Sequence, residues 1–180
     1  MARAEGPGSA FEISLTAHET QKFLLKGDLE VRAGYLSIVP DEGVSASGIS
    51  VAFFYNFIDG SDVTDSIGVI PGSPGTVFTF PVEKTTEADT GKAYVASTTV
   101  PFLVVMTLYD SDGTQLQQSF VTYDGHVAKF FSELFQNIST GFVGKVKVES
   151  QERISLVVVR LQSTSSGVQL TTLSTELSDR

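Results

Sequence analysis

The sequence predicts an all-β protein: an antiparallel two-sheet β-sandwich with one short amphipathic helix at about 126–135. Three observations lead there. Short β-branched and aromatic runs recur along the 180 residues, each bounded by Gly, Pro, Asp or Ser. The 16 Gly and 13 Phe suit a chain of many turns and many half-buried strands. A single stretch departs from the two-residue period, so one helix suffices.

The elements follow in order. Residues 1–10 are polar and rich in Gly and Pro, and read as a linker or an expression remnant rather than an export leader. Phe11–Leu15 alternates as a half-buried strand should. Arg32–Val39 and Ile49–Phe57 come next, the latter aromatic enough to be central and buried on both faces. Thr76–Phe80 alternates again, and Pro81 then marks an edge or a strand end. Glu83–Thr90 reads as a charged loop, before strands at Ala93–Ala96 and Phe102–Tyr109. Asp110-Ser-Asp-Gly113 turns the chain, and Gln115–Tyr123 returns as a hairpin.

From His126 to Phe135, the residues Val127, Phe130, Phe131, Leu134 and Phe135 fall at helical spacing, with Asp124 placed as a cap. Lys129, Ser132 and Glu133 then face water. Strands at Phe142–Glu149, Ile154–Leu161 and Val168–Leu173 complete the series, with Ser163–Gly167 as a loop. Residues 11–173 form one β-sandwich domain, and 174–180 are a polar tail that frays.

An internal two-fold repeat is also legible. Ala17-His18 leads to Lys22-Phe23, and Gly34-Tyr35 follows; Gly125-His126 leads to Lys129-Phe130, and Gly141-Phe142 follows, about 107 residues later. The pseudo-repeats span about 11–70 and 119–173, with strands of about 76–115 inserted between them. Either a duplication or the convergence of two hairpin patterns accounts for this. Both explain His18 and His126 by architecture before chemistry.

Composition removes several function classes. A net charge of −9 disfavours nucleic-acid partners, whose binding requires Lys and Arg to displace counterions. There are no cysteines, which excludes disulfides, thiolate metal sites and cysteine nucleophiles. No run approaches eighteen apolar residues, so no membrane insertion is expected.

The segment Asp124-Gly-His-Val-Ala-Lys-Phe-Phe-Ser-Glu-Leu-Phe135, followed by Gly141-Phe-Val-Gly-Lys-Val-Lys-Val-Glu-Ser150 and Ile154–Arg160, resembles a recurring module of bacterial exported proteins. Gly91–Ala96 and Leu108–Gly113 look like the same module's preceding strands. The resemblance runs from about Arg32 onward and is most specific over Leu108–Arg160. It implies an uncharacterised β-sandwich segment of a large secreted or cell-surface protein, with no catalytic residues to transfer. Leu170-Thr-Thr-Leu173 lacks the proline such modules often carry there.

Chemistry is sparse. No Gly-x-Ser-x-Gly elbow exists, and His126 with Asp124 and Ser132 reads as a turn beside a helix cap, not a triad. Asp110 and Asp112 are weak calcium candidates, as are Asp59, Asp62 and Asp65, but tight turns explain both groups. Tyr55, Tyr94, Tyr109 and Tyr123 could make a sugar platform, although the chain has no Trp. Neither a Walker loop nor a dinucleotide fingerprint is present, and no cofactor is expected.

The residues given structural roles are His18, His126, Phe130, Glu133, Phe135, Gly141 and Arg160, the last bonding Glu133 or the helix C-terminus. Lys145, Lys147 and Glu149 mark a solvated strand face. Ile154–Val159 is either a buried central strand or an aggregation-prone edge. The expected function is a non-catalytic structural, spacer or adhesion module outside the bacterial cell, with self-association or a surface polymer or protein partner. A self-assembling filament subunit and a calcium- or carbohydrate-binding module are the alternatives.

Overall fold

The computed structural model describes residues 3–4, 12–25, 36–45, 49–59, 62–70, 72–165 and 167–178. Two units divide the chain, Met1–Ser37 and Ile38–Arg180. In the first, β1 (Arg3–Ala4) and β2 (Leu24–Leu25) pair in parallel. Glu12–Leu15 lies outside any strand, and Ile13 and Leu15 are 38% and 45% exposed, contrary to the half-buried strand expected there. The bend at Thr16–Glu19 is held by the Glu19 carboxylate, which accepts from the Thr16 backbone N–H at 2.8 Å and from the Thr16 hydroxyl at 2.9 Å. The backbone bond first, then Gln21 and the hydroxyl, hold the Glu19 carboxyl below its ordinary range.

The second unit is built on β10, Phe142–Thr164, a single strand of 23 residues where the sequence suggested two. Its first half pairs with β5 (Gly75–Lys84) on one side and β7 (Phe102–Asp110) on the other. Its second half pairs with β6 (Ala88–Ala96) and β11 (Gly167–Leu173). The β5 register breaks between Glu149 and Ile154, where the polar run Ser150-Gln-Glu-Arg153 bends the strand. Gln151 accepts from the Leu103 N–H at 2.9 Å, and Arg153 donates to the Pro74 carbonyl at 2.6 Å, so the bend is tied from both flanks.

β8 (Gln115–Tyr123) pairs with β7, and β9 (His126–Phe130) with β6. The result is one large, curled antiparallel sheet. Inward positions alternate along β10: Val146, Val148, Ile154, Leu156 and Val158 are all at most 2% exposed. They meet Phe78, Phe80 and Val82 of β5, Tyr94 of β6, and Val104, Met106 and Leu108 of β7 in one core. Burial of each such side chain contributes roughly 1.5–3 kcal/mol, which makes this core the main stabilising element.

Several expectations are corrected. The helix at 126–135 is largely strand: residues 126–130 form a five-residue ladder with β6, and only α1, Phe131–Leu134, is helical. A ladder on an open edge satisfies backbone groups that a short isolated helix would leave exposed. Asp124 does not cap α1; the Glu133 carboxylate does, accepting from the Phe130 N–H at 2.6 Å. β5 runs through Pro81, where no strand lies on its outer side among the described residues, so the missing N–H costs no ladder bond. The expected loop at Glu83–Thr90 is a tight turn between β5 and β6, in which Thr85 Oγ1 accepts from Ala88 N–H at 2.8 Å.

β3 (Phe53–Asp59) pairs with β4 (Asp62–Val69) alone among the described residues, and Phe54 is 70% exposed, so this hairpin is not central. Leu36–Val39 carries no strand, and Arg32–Tyr35 lies outside the described residues, as do Phe11 and Gly34. The tail is not wholly frayed, because Glu176–Leu177 forms β12 against β5. The two stretches of the proposed repeat differ locally: His18 sits in a turn at φ 66°, whereas His126 opens a strand and Gly125 takes the positive φ, 138°.

At Gly144, a Cβ would overlap the Tyr109 carbonyl across the β10–β7 ladder. Gly144→Ala is therefore expected to lower stability by about 1–3 kcal/mol, read as a shifted midpoint in urea unfolding.

Candidate functional site

Two features stand out once the sheet is assembled: a lysine inside it and an unguarded strand at its edge. The inner face of β6 is formed by Ala88, Thr90, Lys92 and Tyr94 at two-residue spacing. Lys92 lies between Val158 of β10 and Lys129 of β9 in register and is 4% exposed. Its Nζ makes no hydrogen bond and sits 4.2 Å from the centre of the Tyr94 ring. Phe80, Val82, Phe131, Leu134, Phe135 and Val146 close around it, leaving a cavity of about 10 Å³, room for one water at most.

Burial lowers the Lys92 ammonium to about 7; the nearby Lys129 charge adds to this and Glu133 opposes it. Burial also raises the Tyr94 phenol well above its ordinary value, with Tyr123 and Asp124 contributing in the same direction. A neutral amine is a competent nucleophile, but the cavity admits no substrate-sized group, and no general acid or base lies in hydrogen-bond reach of Nζ. The arrangement couples folding to a proton instead. The sequence held a signal for Lys92, since it alternates with Thr90 and Tyr94; reading 83–90 as a loop concealed it.

The sequence-derived candidates fall elsewhere. Asp110 is occupied by its own turn, its Oδ1 accepting from the N–H groups of Asp112 at 3.0 Å and Thr114 at 2.8 Å. Among the described residues no group of three or more His, Cys, Asp or Glu could hold a metal ion. Ser132 donates to Asp89 Oδ2 at 2.5 Å, turned to a different partner from the imagined triad. Arg160 pairs with Glu83 and Gln162, not with Glu133 or the helix end, because its β6 partner Thr90 places it beside β5. Tyr94 and Tyr123 are each 1% exposed, which removes them from any sugar platform; Tyr123 stacks on Phe102 with centroids 4.5 Å apart and accepts from Ala96 N–H at 2.9 Å.

Phe135 is 1% exposed and touches Phe131, whose ring stacks on Phe142 with centroids 5.6 Å apart. Gly141, at φ 92°, turns the chain into β10, and its N–H donates to the Lys84 carbonyl at 2.7 Å. The Phe130 ring lies over Gly91. Lys145, Lys147 and Glu149 do line the outer face of β10, alternating with buried Val146 and Val148. Ile154–Val159 pairs with β6 along its whole length and is flanked by β11 from Val158 onward, with Ile154, Leu156 and Val158 buried.

β8 is the second feature. Among the described residues no strand pairs with its outer edge. Its sequence, Gln-Leu-Gln-Gln-Ser-Phe-Val-Thr-Tyr, contains no charge, Pro or Gly, and its neighbour Phe102–Tyr109 is also uncharged. Leu116 and Phe120, on its outward face, are 44% and 63% exposed. Other edges are protected: β12 covers part of β5, β9 carries Lys129 and runs into α1, and Thr172 of β11 donates to the Gly68 carbonyl of β4 at 3.0 Å.

No protein-family model and no curated protein matches the chain. Among solved structures, the crystal structure of Thermotoga maritima 1070 superposes with a TM-score of 0.50 at 11% identity, covering 58% of this chain and 96% of that one. The likeness is one of fold. No helix among the described residues is long and apolar enough to cross a membrane.

Lys92 binds a proton in the unfolded chain that the folded protein resists, because its folded value is near 7 against an ordinary 10.5. Stability on this account falls as pH drops from above 10 to about 7 and is level below that. Lys92→Met is expected to raise the melting temperature at pH 7, by a gain on the order of a few kcal/mol, and to flatten the rise in stability between pH 7 and 10. Calorimetry of both proteins across that range checks it.

Proposed function

We propose that this chain is a non-catalytic structural module of a bacterial secreted or cell-surface protein, and that it associates through the β8 edge of its sheet. The observation that carries this reading is β8 itself: nine residues with no guard residue, on an edge that no strand among the described residues pairs with, in a chain of net charge −9. Edges of this type are ordinarily shortened, charged or covered, because their free N–H and C=O groups template a further strand. An extended strand laid along β8 gains main-chain bonds at once and apolar contact with Leu116 and Phe120.

The location rests on the resemblance of Leu108–Arg160 to exported bacterial modules, together with an acidic composition rich in Ser and Thr. A two-sheet sandwich with an internal repeat is the finer architecture we propose for the curled sheet. The assembling-subunit alternative draws on the same edge, differing in whether the strand comes from β8 of another molecule or from its 11–15 segment. A calcium or sugar site gains nothing from the Asp110 turn or from the buried tyrosines.

Light scattering over a hundredfold concentration range tests association. The expected outcome is a mass that rises above 19.3 kDa with concentration and returns to it in Phe120→Lys. A mass held at that value throughout removes self-association. If the rise is lost on deleting residues 1–16 but survives Phe120→Lys, the N-terminal segment is the donor and β8 is not the edge used.

A further inference from the structure

Resting on that reading of the β8 edge, the occupant of the edge follows from the order of its side chains. In an antiparallel pair, residues directly opposite share a face, and a strand that pairs with its own copy has one residue on the two-fold axis facing itself. The outward face of β8 presents Leu116, Gln118, Phe120 and Thr122 in that order. With the axis at Gln118, Leu116 stands opposite Phe120 of the second copy, Phe120 opposite its Leu116, and the two Gln118 amides meet. On the inward face Gln117 meets Ser119 and Gln115 meets Val121. With the axis at Ser119, Phe120 would face an amide and Leu116 a threonine hydroxyl, leaving both large apolar groups mismatched.

Charge selects a second copy over a charged partner. The chain carries 21 acidic and 12 basic residues, yet 102–109 and 115–123 contain none of either. Two molecules of net charge −9 repel through most of their surfaces, and this neutral face is where they approach at the smallest electrostatic cost. A basic or acidic partner would find nothing there to pair with. Within the paired residues 115–121 no charges face each other, and the nearest like charges in this register, Asp112 of one copy and Asp124 of the other, lie just beyond each end of the contact.

We propose that β8 pairs antiparallel with β8 of a second copy about a two-fold axis at Gln118, joining two curled sheets into one continuous sheet. A contact of about seven residues per strand is small, so the dimer is weak and concentration-dependent, and the symmetry closes it at two copies.

Because the protein has no cysteine, single substitutions report the register directly. Gln118→Cys places two thiols opposite each other, at a Cα separation of roughly 4.5–5.5 Å, within the range a disulfide spans. Leu116→Cys places them about 14 Å apart, four residues along the strand. Val143→Cys, on an exposed site away from β8 at 61% exposure, sets the collisional rate.

Under mild oxidation, Gln118→Cys is expected to form covalent dimer at least about tenfold faster than the other two, as a local effective concentration dictates. Adding Phe120→Lys should return it to the collisional rate. Faster coupling at Leu116→Cys, or at Phe120→Cys, overturns this register while leaving the β8 edge in use. Coupling of Gln118→Cys no faster than Val143→Cys, with a mass that still rises in solution, overturns β8 pairing in favour of another surface. A mass constant with concentration overturns the edge reading and this register together.

Discussion

The bend in β10 is the constraint on which the remainder of the sheet depends. Before it, the strand is hydrogen-bonded between β5 and β7; after it, the strand pairs with β6 and, from Val158 onward, with β11 as well. Every strand except β3, β4 and the two short N-terminal ones reaches the core through this axis or through a neighbour that does. A straight strand of 23 residues would have made a flat sheet with two solvated faces. Bent at 150–153 and tied by Gln151 and Arg153, it brings the two halves of its own apolar face, Val146 and Val148 with Ile154, Leu156 and Val158, into a single core.

That core is not optimised for stability alone. A methionine or leucine at position 92 would fill the space between Phe80 and Phe131 without the desolvation that a lysine incurs. The neighbouring segment from α1 to β10 is fastened by polar contacts instead of by further apolar burial. Lys84 Nζ donates to the Ile138 carbonyl at 3.1 Å, and Gln117 Nε2 donates to the Gln136 carbonyl at 2.8 Å. The inside of the protein thus carries a titratable group where apolar packing was available, while the outside leaves an apolar edge where a charge was available.

Much of the strand pattern was legible from residue types, and the failures have a common cause. β7, β8 and the Asp110 turn emerge from alternation and from Asp-Gly turn chemistry, which are local. The 126–135 segment misleads because Val127, Phe131 and Phe135 satisfy both a helical and a mixed strand-then-turn burial pattern; the open edge of β6, a non-local partner, decides between them. Ser150–Arg153 looks like a loop by composition and is a bend within one strand, again because partners on both sides hold it. Of the sites, the Asp110 turn could be weighed from sequence, whereas Lys92 required knowing which face of β6 is inward. The neutrality of β8 was written in the sequence throughout, but its meaning depended on the strand being unpaired.

The four residues of the β10 bend have a counting consequence for how this chain can change over evolutionary time. Inward positions before and after the bend are all even-numbered, so the excursion preserves the phase of the pleat. A single inserted or deleted residue there would turn Leu156 and Val158 outward and bring Val157 and Val159 in, exchanging one complete face of the strand for the other. Length variation at this point is therefore expected in pairs, and homologous chains aligned through it should differ by two residues or by none.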